Sequence, residues 1–177
     1  MTSLGDTGII PYLCISNCFT VGDMSHMKKI SVCEGGMNQD ITGILNEWSF
    51  DPEANVRKIA GEDGVEKIQV RVDQGAFQGI LQLNLDGRPD GRRPHGQDFA
   101  LDHYCGALEE HRHEHGSEDD GFALDDEACK ELFDEGARVY ERYAFLLQLK
   151  DYRRVVRDTE RNMSLFRFVN RYAALQE

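Results

Sequence analysis

The chain has 177 residues, 40% of them hydrophobic and 29% charged, with 32 acidic side chains against 20 basic ones and a formal net charge of −12. That length is enough for one domain with a buried core, and the acidic balance disfavours direct binding to nucleic acid or to an anionic membrane surface. No run of about 18 apolar residues occurs, so no membrane-spanning helix is expected.

Residues 1–36 mix small, polar and apolar types without a period, and they hold Cys14, Cys18 and Cys33. They read as a flexible N-terminal extension, or as the product of a start assigned too early, since Met24, Met27 and Met37 follow. The apolar piece "IIPYLCISNCF" lacks a basic flank and contains Pro11, which makes it a poor signal peptide, so a cytoplasmic location is expected. Five scattered cysteines, the other two being Cys105 and Cys129, suit reduced thiols better than a disulfide framework. Cys14 and Cys18 have no second pair to complete a zinc site.

From Met37 the patterns sharpen into a single α+β domain over 37–177. "NQDITGILNEW" suits a short helix capped by Asp40, with Ile41, Ile44, Leu45 and Trp48 at helical spacing and Pro52 closing it. Three strands are expected next, from "NVRKIAG", "VEKIQVRVD" and "ILQLNLD", joined by "EDG" and "QGAFQG". Ile68, Val70 and Val72 alternate with Lys67, Gln69, Arg71 and Asp73, and Leu81, Leu83 and Leu85 with Gln82, Asn84 and Asp86. The portion 37–96 is thus expected to be the short helix and a small antiparallel β-meander with one apolar face and one polar face, the latter offering Gln69, Arg71, Gln82 and Asn84.

"LDGRPDGRRPHG", Leu85 to Gly96, gathers Arg88, Arg92, Arg93 and His95 among glycines and prolines. Guanidinium groups there can grip a phosphate or carboxylate; equally, Pro89, Pro94 and the glycines make a structural corner, with the acidic 118–127 loop available to pair with the arginines.

The portion 97–177 is helical. "QDFALDHYCGALEEHRHEH" carries a stripe of Phe99, Leu101, Tyr104, Cys105 and Leu108 that places Cys105 in the core, and Gly116 ends it. A helix capped by Asp125 follows, with Ala128, Leu132, Gly136, Val139, Tyr143, Leu146 and Leu147 as its stripe. After "KDY" a last helix runs from Tyr152 to about Leu175, with Val155, Val156, Thr159, Met163, Phe166, Val169 and Ala173 as its stripe. The two are expected to pack as an αα-hairpin. Glu109 to Glu135 holds twelve acids against two bases, and Arg138 to Arg171 nine bases against four acids. The arginine-rich last helix therefore suits an acidic partner or the acids of its own chain.

"LLQLKDYRRVVRDTERN" resembles the UVR motif of excinuclease B and C subunits and of some chaperone-associated adaptors, through Asp151, Tyr152, Val155 and Val156. The turn at Lys150, Asp151 and Tyr152 is also similar to that of a tetratricopeptide repeat. The region from Met37 onward resembles a group of uncharacterised bacterial UVR-motif-containing proteins, through "DGRPDGRRPHG" and "DYRRVVRDTERN". Both hairpin types imply protein binding without chemistry of their own.

Chemical motifs are sparse. His111 and His115 share a helical face while His113 does not, and the zincin glutamate is missing, so no metal is expected there. His103 and Cys105 point to different sides of their helix. No nucleophile elbow, Walker loop or dinucleotide fingerprint is present, and no cofactor is expected. The expected function is a non-enzymatic protein-interaction or adaptor module, with Tyr152, Arg153, Arg154, Arg157 and Arg161 meeting another protein. The alternative is a small-anion-binding protein using Arg71, Arg88, Arg92, Arg93 and His95.

Overall fold

Alternation of apolar and polar side chains, interrupted by glycine turns, produces the strands β1 (Val56–Ala60), β2 (Glu66–Gln74) and β3 (Phe77–Asn84). The computed structural model describes residues 40–116 and 119–174; the expected extension 1–36 lies outside them. The strands form an antiparallel sheet in the order β1-β2-β3. Gly75, at φ +60°, lets β2 turn into β3 through Gly75–Ala76 alone, so most of "QGAFQG" is strand rather than connection. Register pairs Ile68 with Leu83, and Val70 with both Leu81 and Val56, which collects these side chains on one face. Ahead of the sheet, α1 (Thr42–Glu47) has Asp40 Oδ1 accepting from Thr42 N at 2.9 Å, but it buries none of its residues.

Three longer helices follow: α2 (Ala100–Glu114), α3 (Asp126–Gln148) and α4 (Tyr152–Tyr172). Asp125 caps α3 by accepting from Ala128 N, and Asp151 caps α4 by accepting from Arg154 N. Between them Lys150 turns the chain with a left-handed φ of 57°. The α3–α4 hairpin then packs on two separate cores. Near its turn, Leu146, with Phe145, Leu149 and Val155, meets Ile68, Val70 and Leu85 of the sheet side. At its open end, Ala128, Leu132, Leu165, Val169 and Tyr172 meet Ala100, Leu101 and Leu108 of α2. A parallel bridge between Leu124 and Ala173 closes this end.

The buried stripes differ from those expected. On α3 the buried residues are Ala128, Leu132, Glu135, Gly136, Val139, Arg142 and Leu146, while Leu147 is exposed. On α4 they are Asp158, Asn162, Leu165, Val169 and Tyr172, at spacings of four and three, while Val156, Met163 and Phe166 are exposed. Polar groups therefore hold core positions; on α3 the stripe read from the sequence is otherwise met at Ala128, Leu132, Gly136, Val139 and Leu146, whereas on α4 it lies one residue around the helix and shares only Val169 with the buried set. Cys105 is likewise exposed instead of core, because α2 turns Leu101, Tyr104 and Leu108 inward.

Candidate functional site

The polar residues of the hairpin seam form a belt between the two cores, and the 84–91 loop is fastened to it. Arg142 donates from Nε and Nη2 to the two carboxylate oxygens of Asp158 at 2.7 and 2.9 Å. Its Nη1 donates to the carbonyls of Asn84 (3.1 Å) and Gly87 (2.5 Å). Arg157 donates to Leu85 O and Asp158 and pairs with Asp86, which Arg154 also holds at 3.1 Å. The Asp86 carboxyl is pulled down to about 2, chiefly by Arg154 and then by Arg157, against the opposing effect of burial. Glu135, fully buried, accepts from the backbone N of Ala100 (2.7 Å) and Leu101 (3.2 Å). It thus caps α2 from a neighbouring helix, where Phe99 offers no side-chain cap and the helix dipole favours an anion.

Of the five residues expected to grip an anion, Arg88 and His95 line one cleft, while Arg71, Arg92 and Arg93 do not line it. Arg71 is buried, donating to the carbonyls of Trp48, Val72 and Gly79. It lies on the sheet face where Arg57 covers the Trp48 ring at 4.1 Å and Gln69 bonds Gln82. Arg88 is buried against Asp90 (3.0 Å) and Glu135 (3.6 Å). Arg93 pairs with Asp98 at the surface, and the Arg92 side chain has no partner among the described residues. None of the three arginines pairs with the described part of the acidic 118–127 loop.

His95, at φ 50°, stacks on His103 with ring centroids 4.0 Å apart, and its Nε2 lies 3.0 Å from Glu131 Oε2. Tyr104 donates to the same carboxylate at 2.8 Å. Burial and that carboxylate push the Tyr104 hydroxyl up. For Glu131 burial acts upward, yet His95, Tyr104 and Arg88 together hold it below its ordinary value. These residues line a cleft of about 810 Å³ with Arg88, Lys130 and Arg138, but also with Asp125, Glu127 and Asp134. Cationic and anionic groups so interleaved give the cleft no single sign, and neither Cys105 nor Cys129 lines it. Farther along α2, His111 and His115 do share a face, their rings 4.1 Å apart, with His111 Nε2 2.9 Å from Asp120 O. Among the described residues no group of three or more His, Cys, Asp or Glu is placed to hold a metal ion.

Of the partner-binding residues expected on α4, Arg154, Arg157 and Arg161 turn toward their own chain. Arg161 covers the Phe99 ring at 3.6 Å and pairs with Asp102. Tyr152 and Arg153 point outward, both exposed.

Beside them runs a surface the residue patterns did not reveal as such. Phe133, Tyr140 and Leu147 on α3, with Tyr152, Val156, Met163 and Phe166 on α4, are each exposed by between 43% and 60%. Ala137, Ala144 and Thr159 complete the two rows, which run 133, 137, 140, 144, 147 and 152, 156, 159, 163, 166. Each row alternates steps of four and three residues, the signature of a helix seam. On α4 the signal was present in the sequence but Val156, Thr159, Met163 and Phe166 were assigned to the hairpin's interior, as was Leu147 on α3, while Phe133 and Tyr140 were not singled out.

No helix among the described residues is long and apolar enough to cross a membrane. The chain matches no family model, and no curated protein or solved structure matches it.

Proposed function

We propose that the protein is a non-enzymatic interaction module that binds another protein through the outward face of its α3–α4 hairpin, in a reducing, cytoplasmic setting. The observation that carries this is the double row of seven large apolar side chains on that face, set beside arginines already committed elsewhere. A contiguous apolar surface of this kind on an otherwise highly charged chain marks a contact site. The contact surface is thus shifted from the Arg154, Arg157 and Arg161 edge to the Leu147 and Met163 face, with Tyr152 and Arg153 at its border. The resemblance to UVR and tetratricopeptide hairpins is of the same kind, since both are protein-binding elements.

The test is photo-crosslinking in cells with a benzophenone side chain at position 147 or 163, and at Glu62 in the β1–β2 turn as a control. The expected outcome is an adduct of defined mass from the two hairpin positions alone. No adduct, or equal adducts from all three positions, refutes this assignment.

A further inference from the structure

We infer that the occupant of this face is a second copy of the chain, giving a two-fold dimer in which the two hairpins form an antiparallel four-helix bundle. The inference rests on the outward face being a contact site and adds the identity of what covers it.

The first support is layer-by-layer complementarity. The ring centroids of Phe133 and Phe166 lie 6.2 Å apart, Asn162 bonds the Gly136 carbonyl, and Arg142 bonds Asp158. These contacts fix which residues of α3 and α4 stand level. Phe133 is level with Phe166, Ala137 with Met163, Tyr140 with Thr159, Ala144 with Val156, and Leu147 with Tyr152. In each of the three middle layers one helix presents the bulkier side chain and the other the smaller. A two-fold axis parallel to the helices keeps every layer at its height and sets α3 of one copy on α4 of the other. Small then faces large in all three middle layers, and aromatic rings gather at the Phe133 end. Every helix also has antiparallel neighbours, as α3 and α4 already are to each other.

The second support is area. Each row spans 15 residues, about 21 Å from first to last, on helices of 23 and 21 residues. Two helices side by side, each about 11 Å across, present roughly 460 Å² per copy, about 900 Å² in total, which is the size of a small, weakly held specific interface.

The flanks add a signed expectation. Asp134 stands level with Arg167, so the same axis sets each against the other in the partner at the border of the bundle. Glu141 stands level with Glu160 and meets the partner's Glu160 there. Exposed like charges weaken association modestly, so the dimer is held below its full affinity by this one layer.

The test is the mass of the full chain by sedimentation velocity and light scattering, with Leu147→Glu, Met163→Glu and Glu160→Lys beside it. Both exposed apolar sites tolerate a carboxylate in the folded monomer, so the far-UV circular dichroism of these two variants should match the parent. The expected result is a species of twice 20.1 kDa for the parent. Leu147→Glu and Met163→Glu should sediment as monomers. Glu160→Lys should dimerise more tightly, roughly fivefold at low salt, with the gain screened away in high salt. A parent that stays monomeric at roughly 100 µM, or a dimer indifferent to both carboxylate variants, overturns the inference. An unchanged affinity in Glu160→Lys overturns the assigned axis. If benzophenone at 147 and 163 captures only other proteins while the parent is monomeric, the contact face stands and the dimer falls. If it captures nothing and the parent is monomeric, both fall.

Discussion

Replacing Arg142 with methionine should cost about 4 kcal/mol, and the cost should reach the sheet as well as the hairpin. Arg142 and Asp158 are each 1% exposed and share a two-pronged bond, with Arg142 also holding two loop carbonyls. Removing one member of a buried pair typically costs about 3–5 kcal/mol, because the other charge is left in a dry site. Arg157 still donates to Asp158 and softens that loss, while the abandoned Asn84 and Gly87 carbonyls add to it by about 1 kcal/mol. Asp158→Leu should cost less, about 2–3 kcal/mol, since Arg142 keeps both carbonyls and Arg157 keeps Asp86. The double variant should fall short of the sum of the singles by about 2 kcal/mol. Urea unfolding measures all three with two probes: far-UV circular dichroism for the helices and fluorescence of Trp48, the sole tryptophan, for the sheet side. In Arg142→Met the Trp48 transition should precede the helical one, because the loop joining sheet to hairpin has lost its anchor. A single-variant cost under about 1 kcal/mol, or a double variant equal to the sum, would refute the clamp.

Glu135→Gln should destabilise by about 1–2 kcal/mol and speed amide exchange at Ala100 and Leu101 selectively, since α2 loses its charged cap; unchanged exchange there contradicts the assignment. Lys150→Gly should stabilise slightly, by about 0.5 kcal/mol in a thermal melt, by relieving a left-handed φ of 57° at the cost of a looser unfolded chain. Asp86 and Asp151 are both held at about 2, Asp86 chiefly by Arg154 and Asp151 chiefly by Lys58 with help from Arg154. Each carboxylate binds a proton more readily unfolded than folded, so their stabilisation is complete above 3.8 and lost as pH falls toward 2. After allowance for solvent screening the loss is about 1 kcal/mol per group, and Asp151→Asn should flatten part of the fall in the urea midpoint.

How far the sequence spoke depended on whether core positions were apolar. The β-meander was legible because Ile68, Val70, Leu81 and Leu83 alternate cleanly and glycines mark its turns. On α3 the stripe was largely legible, through Ala128, Leu132, Gly136, Val139 and Leu146, with Glu135 and Arg142 passed over as charges. On α4 only Leu165, Val169 and Tyr172 of the five buried residues are apolar, so a hydrophobic pattern followed the neighbouring row instead. Both errors share one cause: a polar residue can hold a core position when its partner comes from another element, as Asp158 does from α3 and Glu135 from α2. Such pairings cross tens of residues and leave no local trace. The "DGRPDG" corner and the "DYRRVVRDTERN" helix were each conspicuous, but only the fold shows that they answer one another through Asp86, Arg154 and Arg157.

That mutual engagement bears on function by subtraction. A buried ionic belt adds little net stability compared with apolar packing of the same volume, but it can define how α3 sits on α4 and where the loop crosses them. Of the residues that look most like a ligand grip, Arg88 is occupied in this way against Glu135, and Arg71 is occupied by backbone carbonyls on the sheet face. What the interior does not require is the outer double row: α3 and α4 already bury one seam, and beyond the Phe133–Phe166 contact the second seam of Phe133, Tyr140, Leu147, Val156, Met163 and Phe166 leaves about half of each side chain in water. Solvent-facing helix positions serve as well with lysine or glutamate as with phenylalanine, and apolar groups there raise the risk of aggregation. A row that keeps seam spacing over four turns, level with an equal row on the next helix, has the length and form of a helix–helix contact. Its partner should therefore be helical and antiparallel, and the nearest surface that meets that description is the same row on another copy.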